Sequence, residues 1–355
     1  MKENDNNLLV QSRVNAALDK KTPLVIHGGN SKSFLGRKPN AENELDMSDH
    51  QGVVAYEPTE LAITVCSGSK LKDVEKLLSE SSQQFAFEPP AFGDNATIGG
   101  MVAAGISGPR RPYAGSVRDA VLGVKIINGK GEILEYGGRV MKNVAGYDVS
   151  RLMVGAMGTL GVLLEVSFKL QPQAQQSLTL SQTVSAKSAL KKMTEWSRKT
   201  NTIDATVWVD NQLFIRLSGT EQATANTRNT LDGDVIDNAD NFWLDIKEQR
   251  HHFFQQHTNL WRLSLPATAP VTKIAANELI EWNGQQRWLA GDFDQQSCRQ
   301  QAEQLGGHAT LFRTETLEDE PFHPLPDHLL KLQQRLKAAF DPERIFNPGR
   351  MYKTL

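Results

Sequence analysis

The sequence predicts an α+β protein with antiparallel sheets, not a doubly wound βαβ series. Three observations carry this. First, AVLGVKIIN (120–128) and EILEY (132–136) flank an Asn-Gly turn, a strong hairpin signal. Further hairpins are written at 203–218, around Asp210-Asn211, and at 279–291 (LIEWNGQQRWLAG). Second, the glycine-rich stretch TIGGMVAAGISGPRRPYAGSVRD (97–119) follows Pro89, Pro90 and Asn95, not a strand. A Rossmann site needs its glycines directly after a strand and an acidic residue about 20 positions on, so that reading is rejected. Third, composition changes at PQAQQSL (172–178), a domain boundary.

In chain order, NLLVQSRVNAALD (7–19) places apolar residues at helical spacing, and Pro23 to Ile26 reads as a strand. GGNSKSFLGR (28–37) follows. A strand running into Gly28-Gly29 and then Asn30, Ser31, Lys32 and Ser33 suits a phosphate nest of backbone N–H groups and hydroxyls. An ordinary polar turn fits this loop equally well. It lacks both the GK[ST] ending of a Walker loop and the GxGxxG spacing. GVVAYE (52–57) and LAITVC (61–66) predict paired strands. Residues 70–80 predict a helix with Leu71, Val74, Leu77 and Leu78 on one face. In 97–119, small residues permit close backbone approach, and Thr97 is placed to cap a short helix whose free N–H groups point at an anion. The bland alternative is a tight Gly/Ala helix packed on a sheet. A helix at 147–154 leads to GAMGTLG (155–161) and a strand at 162–170.

The second half predicts a strand near 177–184, a helix at 185–200, a polar helix and loop over 220–240, and a helix at 241–256. A strand at 260–266, a helix at 293–305, a strand at 308–314 and a helix from about 327 to 340 complete it. The tail FDPERIFNPGRMY keeps Ile345, Phe346 and Met351, the mark of a docked segment.

The 355 residues suffice for two or three domains with a sizeable core. A net charge of −2 argues against a dedicated nucleic-acid binder. No 18-residue apolar run exists, and MKENDNNLL lacks the apolar stretch of a signal peptide, so a cytoplasmic location is expected. Cys66 and Cys298 cannot make a four-cysteine iron–sulfur cluster or a Cys-rich zinc site.

Three stretches taken together, GGNSKS (28–33), 89–129 and KNVAGYDVSRLMVGAMGTLGVLLEVSFKLQP (142–172), resemble the FAD domain of the vanillyl-alcohol-oxidase/PCMH flavoprotein superfamily over roughly residues 15–172. The tail IFNPGRM is similar to the end of its D-lactate dehydrogenase-like branch. LWRLSLP and EWNGQQRWL resemble the FAD-binding E subunits of bacterial glycolate oxidase (glycolate dehydrogenase), a resemblance that covers nearly the whole chain.

The resemblance implies a PCMH-type FAD domain of two α+β subdomains at 1–172, a smaller α+β cap at 173–320, and a C-terminal helix and tail at 321–355 docked on the FAD domain. By position, Gly28, Gly29, Asn30, Ser31, Lys32 and Ser33 would hold the pyrophosphate. Thr97, Ile98, Gly99 and Gly100 would line flavin and diphosphate, and Ala104, Gly105, Ser107, Gly115 and Ser116 would continue the cradle. Gly158, Thr159, Gly161 and Val162 would meet the adenosine half, and Asn347 and Gly349 would return towards the cofactor. Asn30 stands where many relatives carry a flavin-tethering His, and Cys66 falls outside the usual attachment loop, so FAD is expected to be non-covalent.

The implied reaction is oxidation of glycolate, a 2-hydroxy acid, to glyoxylate by hydride transfer to flavin. A larger FAD-containing catalytic subunit and an iron–sulfur subunit would be the partners, and peripheral attachment to the inner membrane would come through that complex. Such a substrate needs a cation for its carboxylate and a base for its hydroxyl. Arg262, Arg287 and Arg313 are the cap candidates, with Arg110 a fourth. His323 and His308 stand alone, and His251, His252 and His257 lack metal-pair spacing. The His-rich metal motifs of the larger relatives are missing. Two alternatives therefore stand beside catalysis in this chain: a non-catalytic electron-relay or scaffold subunit, and a stand-alone sugar or aldonolactone oxidase.

Overall fold

The computed structural model describes residues 6–138, 148–196, 200, 202–274, 278–315 and 320–355. Tyr147, the expected start of one helix, and KNVAGY (142–147) lie outside them. The chain forms two compact units, Met1–Ile106 with Ser116–Gln173 and Pro324–Leu355, and Ser107–Gly115 with Ala174–His323.

In the first unit, α1 (Asn7–Asp19) buries Val10, Val14 and Ala17, spaced one helical turn apart. β1 (Leu24–His27) pairs in parallel with β2 (Asn43–Asp46). β3 (Val53–Glu57) and β4 (Ala62–Cys66) pair antiparallel around a tight turn in which Leu61 takes φ 51°. α2 (Leu71–Glu80) buries Leu71, Val74 and Leu78. β5 (Gln83–Gln84) and α3 (Ile98–Ala104) follow, then α4 (Arg111–Ala114), which belongs to the second unit. α5 (Val117–Ala120) leads into the hairpin of β6 (Val121–Ile127) and β7 (Ile133–Gly137). After α6 (Val149–Leu152), β8 (Val162–Lys169) runs to β9 (Gln171–Pro172), which pairs with β5. The main sheet has five antiparallel strands in the order β3-β4-β8-β6-β7. One core joins Ile63, Val65, Val166 and Phe168 of this sheet to α2 and to Ile98, Met101 and Val102 of α3. α3 is thus fixed by one apolar face, and Gly99, Gly100, Ala103 and Ala104 stay half-buried on the other.

The second unit carries β10 (Gln176–Thr183), α7 (Ala186–Trp196), β11 (Ile203–Val209), β12 (Gln212–Gly219), α8 (Glu221–Thr230), β13 (Asp234–Ile236), α9 (Asp240–Lys247) and α10 (His252–Gln255). β14 (Leu260–Ser264), β15 (Leu279–Glu281), β16 (Gln286–Ala290), α11 (Gln295–Gln304) and β17 (His308–Arg313) complete it. Its sheet has eight antiparallel strands in the order β13-β10-β12-β11-β15-β16-β14-β17. Trp261 and Leu263 pack against Cys298 and Ala302 of α11. Side chains alternate across a strand, so Arg262 and Ser264 lie on the opposite face. The helix expected at 241–256 is two helices, because the chain leaves the α region at Gln249 (φ 53°) and again at His251.

Segment 107–115 is clamped into this unit by the turn after β15. Trp282 Nε1 donates to Gly108 O at 3.0 Å, and the Tyr113 hydroxyl donates to Asn283 Oδ1. Arg111 stacks 4.6 Å over the Trp282 ring, and Arg110 pairs with Asp204 at 3.2 Å. Burial raises the Tyr113 hydroxyl pKa to about 12, so it remains a donor.

The chain returns to the first unit with α12 (Asp327–Phe340). Lys337 on its inner face is fully buried and donates to Thr159 O, Asp341 Oδ2 and Phe346 O at 2.8, 2.7 and 2.8 Å. Ile345 and Phe346 join the core of Leu24, Leu45 and Val162, and Phe346 bridges Leu24 in parallel.

Among the described residues, no helix is long and apolar enough to cross a membrane.

Candidate functional site

The two glycine stretches of the first unit meet. A Cβ on Gly28 would lie 2.4 Å from Thr97 Oγ1, and one on Gly29 would lie 1.4 Å from Asn95 O. Only glycine allows the 28–33 loop to close on residues 95–97. Within this loop Asn30 takes φ 55°. The amide N–H groups of Gly29, Asn30 and Ser31 donate to no acceptor among the described residues. Successive outward amides of this kind form an anion-binding concavity. The Lys32 ammonium reaches Ala91 O at 3.0 Å, 5.6 Å above the Phe92 ring. The tail braces the loop: Arg350 donates to Arg37 O at 2.9 Å and Ser33 O at 3.2 Å. Sequence reasoning missed Arg350, which reads there as one more polar residue of a turn.

The start of α3 differs from expectation. Its N–H groups are not free for an anion: Ile98 N donates to Ser69 O at 2.9 Å, Gly99 N to Ser67 O at 2.7 Å, and Gly100 N to Thr97 Oγ1 at 3.2 Å. Gly99 serves instead to seat the helix on Ser67, whose Cβ a side chain would strike at 2.8 Å. Thr97 caps as predicted, and Ile98 is a core residue. The far end of α3 is closed by the next loop, with Gly155 N on Val102 O and Met157 N on Ala103 O, both at 3.0 Å. Gly105 (φ 63°) meets that loop at Gly155.

Several other predicted positions are engaged by the protein itself. Ser116 caps α5, and its N–H and hydroxyl both donate to Asp119 at 2.8 Å. Thr159 donates to Ala156 O, Gly161 packs on Ile127 O, and the Val162 side chain is in the core. Asn347 is buried; it accepts from Ile26 N and donates to Met157 O, both at 2.8 Å, tying tail, β1 and the Gly158 turn together. Gly349 is half-buried at φ 73° with open space beside it. Ser107 and Gly115 belong to the second unit. What remains presented in the first unit is the loop Gly28–Ser33 and the small face of α3. Together they suit a ligand with phosphate charge and a flat body.

In the second unit the candidate cations separate by what they touch. Arg287 is fully buried and donates to Gly284 O, Pro270 O and Ala269 O, with Glu278 at 3.6 Å. Arg313 donates to Phe254 O at 2.6 Å. His323 pairs with Glu303 at 3.1 Å and accepts from Ala309 N. Arg110 is held by Asp204. These four are engaged in holding the unit together.

Arg262 differs: its guanidinium lies 5.3 Å over the Phe312 ring and has no hydrogen-bond or ion-pair partner among the described residues. Burial, and then Arg111, lower its pKa to about 10 against the pull of Glu281, so it is still charged at neutral pH. An unpartnered buried cation is costly, and an incoming carboxylate relieves that cost. Thr310 stands across from Arg262, and His308 across from Ser264, so both share its sheet face. Burial, and then Arg262, lower the His308 pKa, which favours the neutral ring.

Residues 6–137 match the family model described as FAD binding domain. Over 355 residues, all of both chains, the sequence is 45% identical to glycolate oxidase subunit GlcE of Escherichia coli. It is 31% identical over 161 residues to glycolate oxidase subunit GlcD of Bacillus subtilis, 45% of this chain and 34% of that one. It is 33% identical over 160 residues to mitochondrial D-lactate dehydrogenase [cytochrome] of Arabidopsis thaliana, 44% of this chain and 28% of that one. A solved alkyldihydroxyacetonephosphate synthase has the same fold, with a TM-score of 0.68 over 96% of this chain and 75% of that chain at 15% identity.

Proposed function

The chain belongs to the family of the glycolate oxidase subunit GlcE, and from that premise we propose that it is the FAD-binding subunit of a glycolate-oxidising complex. Gly28 to Ser33 hold the pyrophosphate through the unspent amides of Gly29, Asn30 and Ser31, with Lys32 as the adjacent cation. Gly100 and Ala104 present a face without bulk on which a planar ring can lie, Gly99 seats that helix on Ser67, and Gly105 and Gly158 set the loops beyond it. Thr97, Asn347 and Arg350 position these loops. When bound, FAD supplies the acceptor for a hydride leaving the hydroxyl-bearing carbon. Cys66 is buried in β4, and Asn30 has no nucleophilic side chain, which supports non-covalent attachment. Acid precipitation then releases the flavin into the supernatant; flavin left with the pellet contradicts this.

The observation that carries the catalytic reading is Arg262. Its fork binds the glycolate carboxylate in two parallel bonds, and that orients the hydroxyl. His308, on the same face and biased to its neutral form, accepts the hydroxyl proton. With two cysteines in the chain, electrons leave through another subunit carrying an iron–sulfur cluster. A larger FAD-containing subunit completes the proposed assembly, which sits in the cytoplasm or against the inner membrane.

Arg262→Ala is expected to lower kcat/KM for glycolate in the purified complex by about a hundredfold or more, the loss expected at a desolvated charge pair. FAD content should stay unchanged. Wild-type kinetics in this variant would overturn the assignment. His308→Gln should lower kcat and remove the acid limb of the kcat profile, since a base works only when unprotonated. An acid limb that persists unchanged would remove His308 from that role.

A further inference from the structure

We propose that Asp210, His251 and His252 form a binding site for a transition-metal dication of the zinc class. The three side chains each place a ligand atom within 4.8 Å of the others. Two elements far apart in sequence supply them. Asp210 sits at the tip of the β11–β12 hairpin, where Asp210 and Asn211 both take positive φ (50° and 60°), the tight two-residue turn that fixes this tip. His251 and His252 open α10, where the break after α9 turns both rings to one side, 4.1 Å apart between centroids. His252 Nε2 already lies 2.8 Å from Asp210 Oδ2.

The donor set of two imidazoles and one carboxylate selects zinc, nickel or copper over magnesium or calcium, which prefer oxygen alone. Imidazole ligates through a neutral ring nitrogen, so binding releases any proton that nitrogen carries. Arg250, the nearest basic neighbour in sequence, is paired with Asp245 at 3.1 Å. His251 is the anchored ligand: the Phe242 ring packs edge-on against it at 5.8 Å, and its Nδ1 accepts from Phe253 N at 3.3 Å. His252 and Asp210 have exposed side chains and close on an ion by rotating, with His251 giving up its long bond where that nitrogen ligates. Three protein ligands leave a further position for water. The bound ion cross-links the hairpin tip to the start of α10, 42 residues away.

Calorimetric titration of zinc chloride into the full chain, reconstituted with FAD and stripped of metal with a chelator, tests this. One equivalent should bind, protons should be released, and the melting temperature should rise with zinc and not with magnesium. His252→Ala and Asp210→Ala, both at exposed side chains, should each weaken zinc at least tenfold and abolish that rise. His257→Ala should change neither. Absence of saturable zinc binding would overturn the proposal, as would binding that both variants leave intact.

Discussion

Asn30→Asp binds FAD at least ten times more weakly than the parent chain, yet melts at the same temperature when FAD is absent. The substitution keeps size and shape, and Asp tolerates the positive φ of 55° that Asn30 adopts. What changes is charge, and the long contact of the side-chain amide with His27 Nδ1 at 3.5 Å. The amides of Gly29, Asn30 and Ser31 are the donors left unspent in the loop, and a carboxylate on the same loop would repel the diphosphate that they are proposed to hold. Unit charges about 5 Å apart repel by ~1–3 kcal/mol at effective dielectric constants between those of water and a protein surface. A factor of ten corresponds to about 1.4 kcal/mol. Fluorescence titration of FAD into the apoprotein reads the effect, and an unchanged Kd would move the pyrophosphate elsewhere. A cruder variant such as Gly29→Ala loses FAD too, but by forcing the loop off Asn95, so it cannot separate charge from folding.

Asp341→Ala is expected to destabilise the first unit by about 3–5 kcal/mol, the cost of breaking a buried ion pair. For a unit of this size that is a fall in melting temperature of roughly 10 °C or more. The carboxylate does two jobs. It neutralises the Lys337 ammonium at 2.7 Å, and it accepts from Ile345 N at 3.1 Å and Phe346 N at 2.8 Å. Burial lowers the Lys337 pKa, and Asp341 is the main influence holding it up. FAD affinity should fall as well, since Asn347 and Arg350 hold β1 and the 33–37 loop from the same tail. Replacing both partners with leucine or methionine should not restore the stability, because the N–H groups of Ile345 and Phe346 and the carbonyls of Thr159 and Phe346 would be left buried without partners. A loss below about 3 °C for Asp341→Ala would show that the pair does not anchor the tail.

Much of the fold was legible because local chemistry decides it. The turn residues at 128–131 mark the β6–β7 hairpin, although the turn closes from Gly131 N to Asn128 O with Gly131 at φ 76° and not on the Asn-Gly pair, and the spacing of Leu71, Val74 and Leu78 sets α2. β2 and β13 were not legible. Asn43–Asp46 turns only Leu45 inward, and Asp234–Ile236 is a short edge strand, so neither shows an alternating pattern. The helix at 241–256 looked continuous because the turn at Gln249 uses a residue with no breaking signature. Segment 107–115 reads as part of one glycine-rich run, but Trp282, Asn283 and Asp204 draw it into the second unit through contacts made across the sequence. The site was half legible for the same reason. Glycines announce close approaches, yet only the structure shows that the α3 amides are spent on Ser67, Ser69 and Thr97. Four arginines looked alike until their partners were known: Arg110, Arg287 and Arg313 are engaged, and Arg262 is not.

The proposed function requires that this chain carry both a flavin and a place for the substrate. An anaerobic visible spectrum of the purified chain, loaded with FAD, before and after adding glycolate, tests it most directly. The oxidised-flavin bands should bleach with glycolate, and in Arg262→Ala they should persist until dithionite is added. Bands in the parent chain that bleach only with dithionite would contradict it and leave the chain an electron-relay or scaffold subunit.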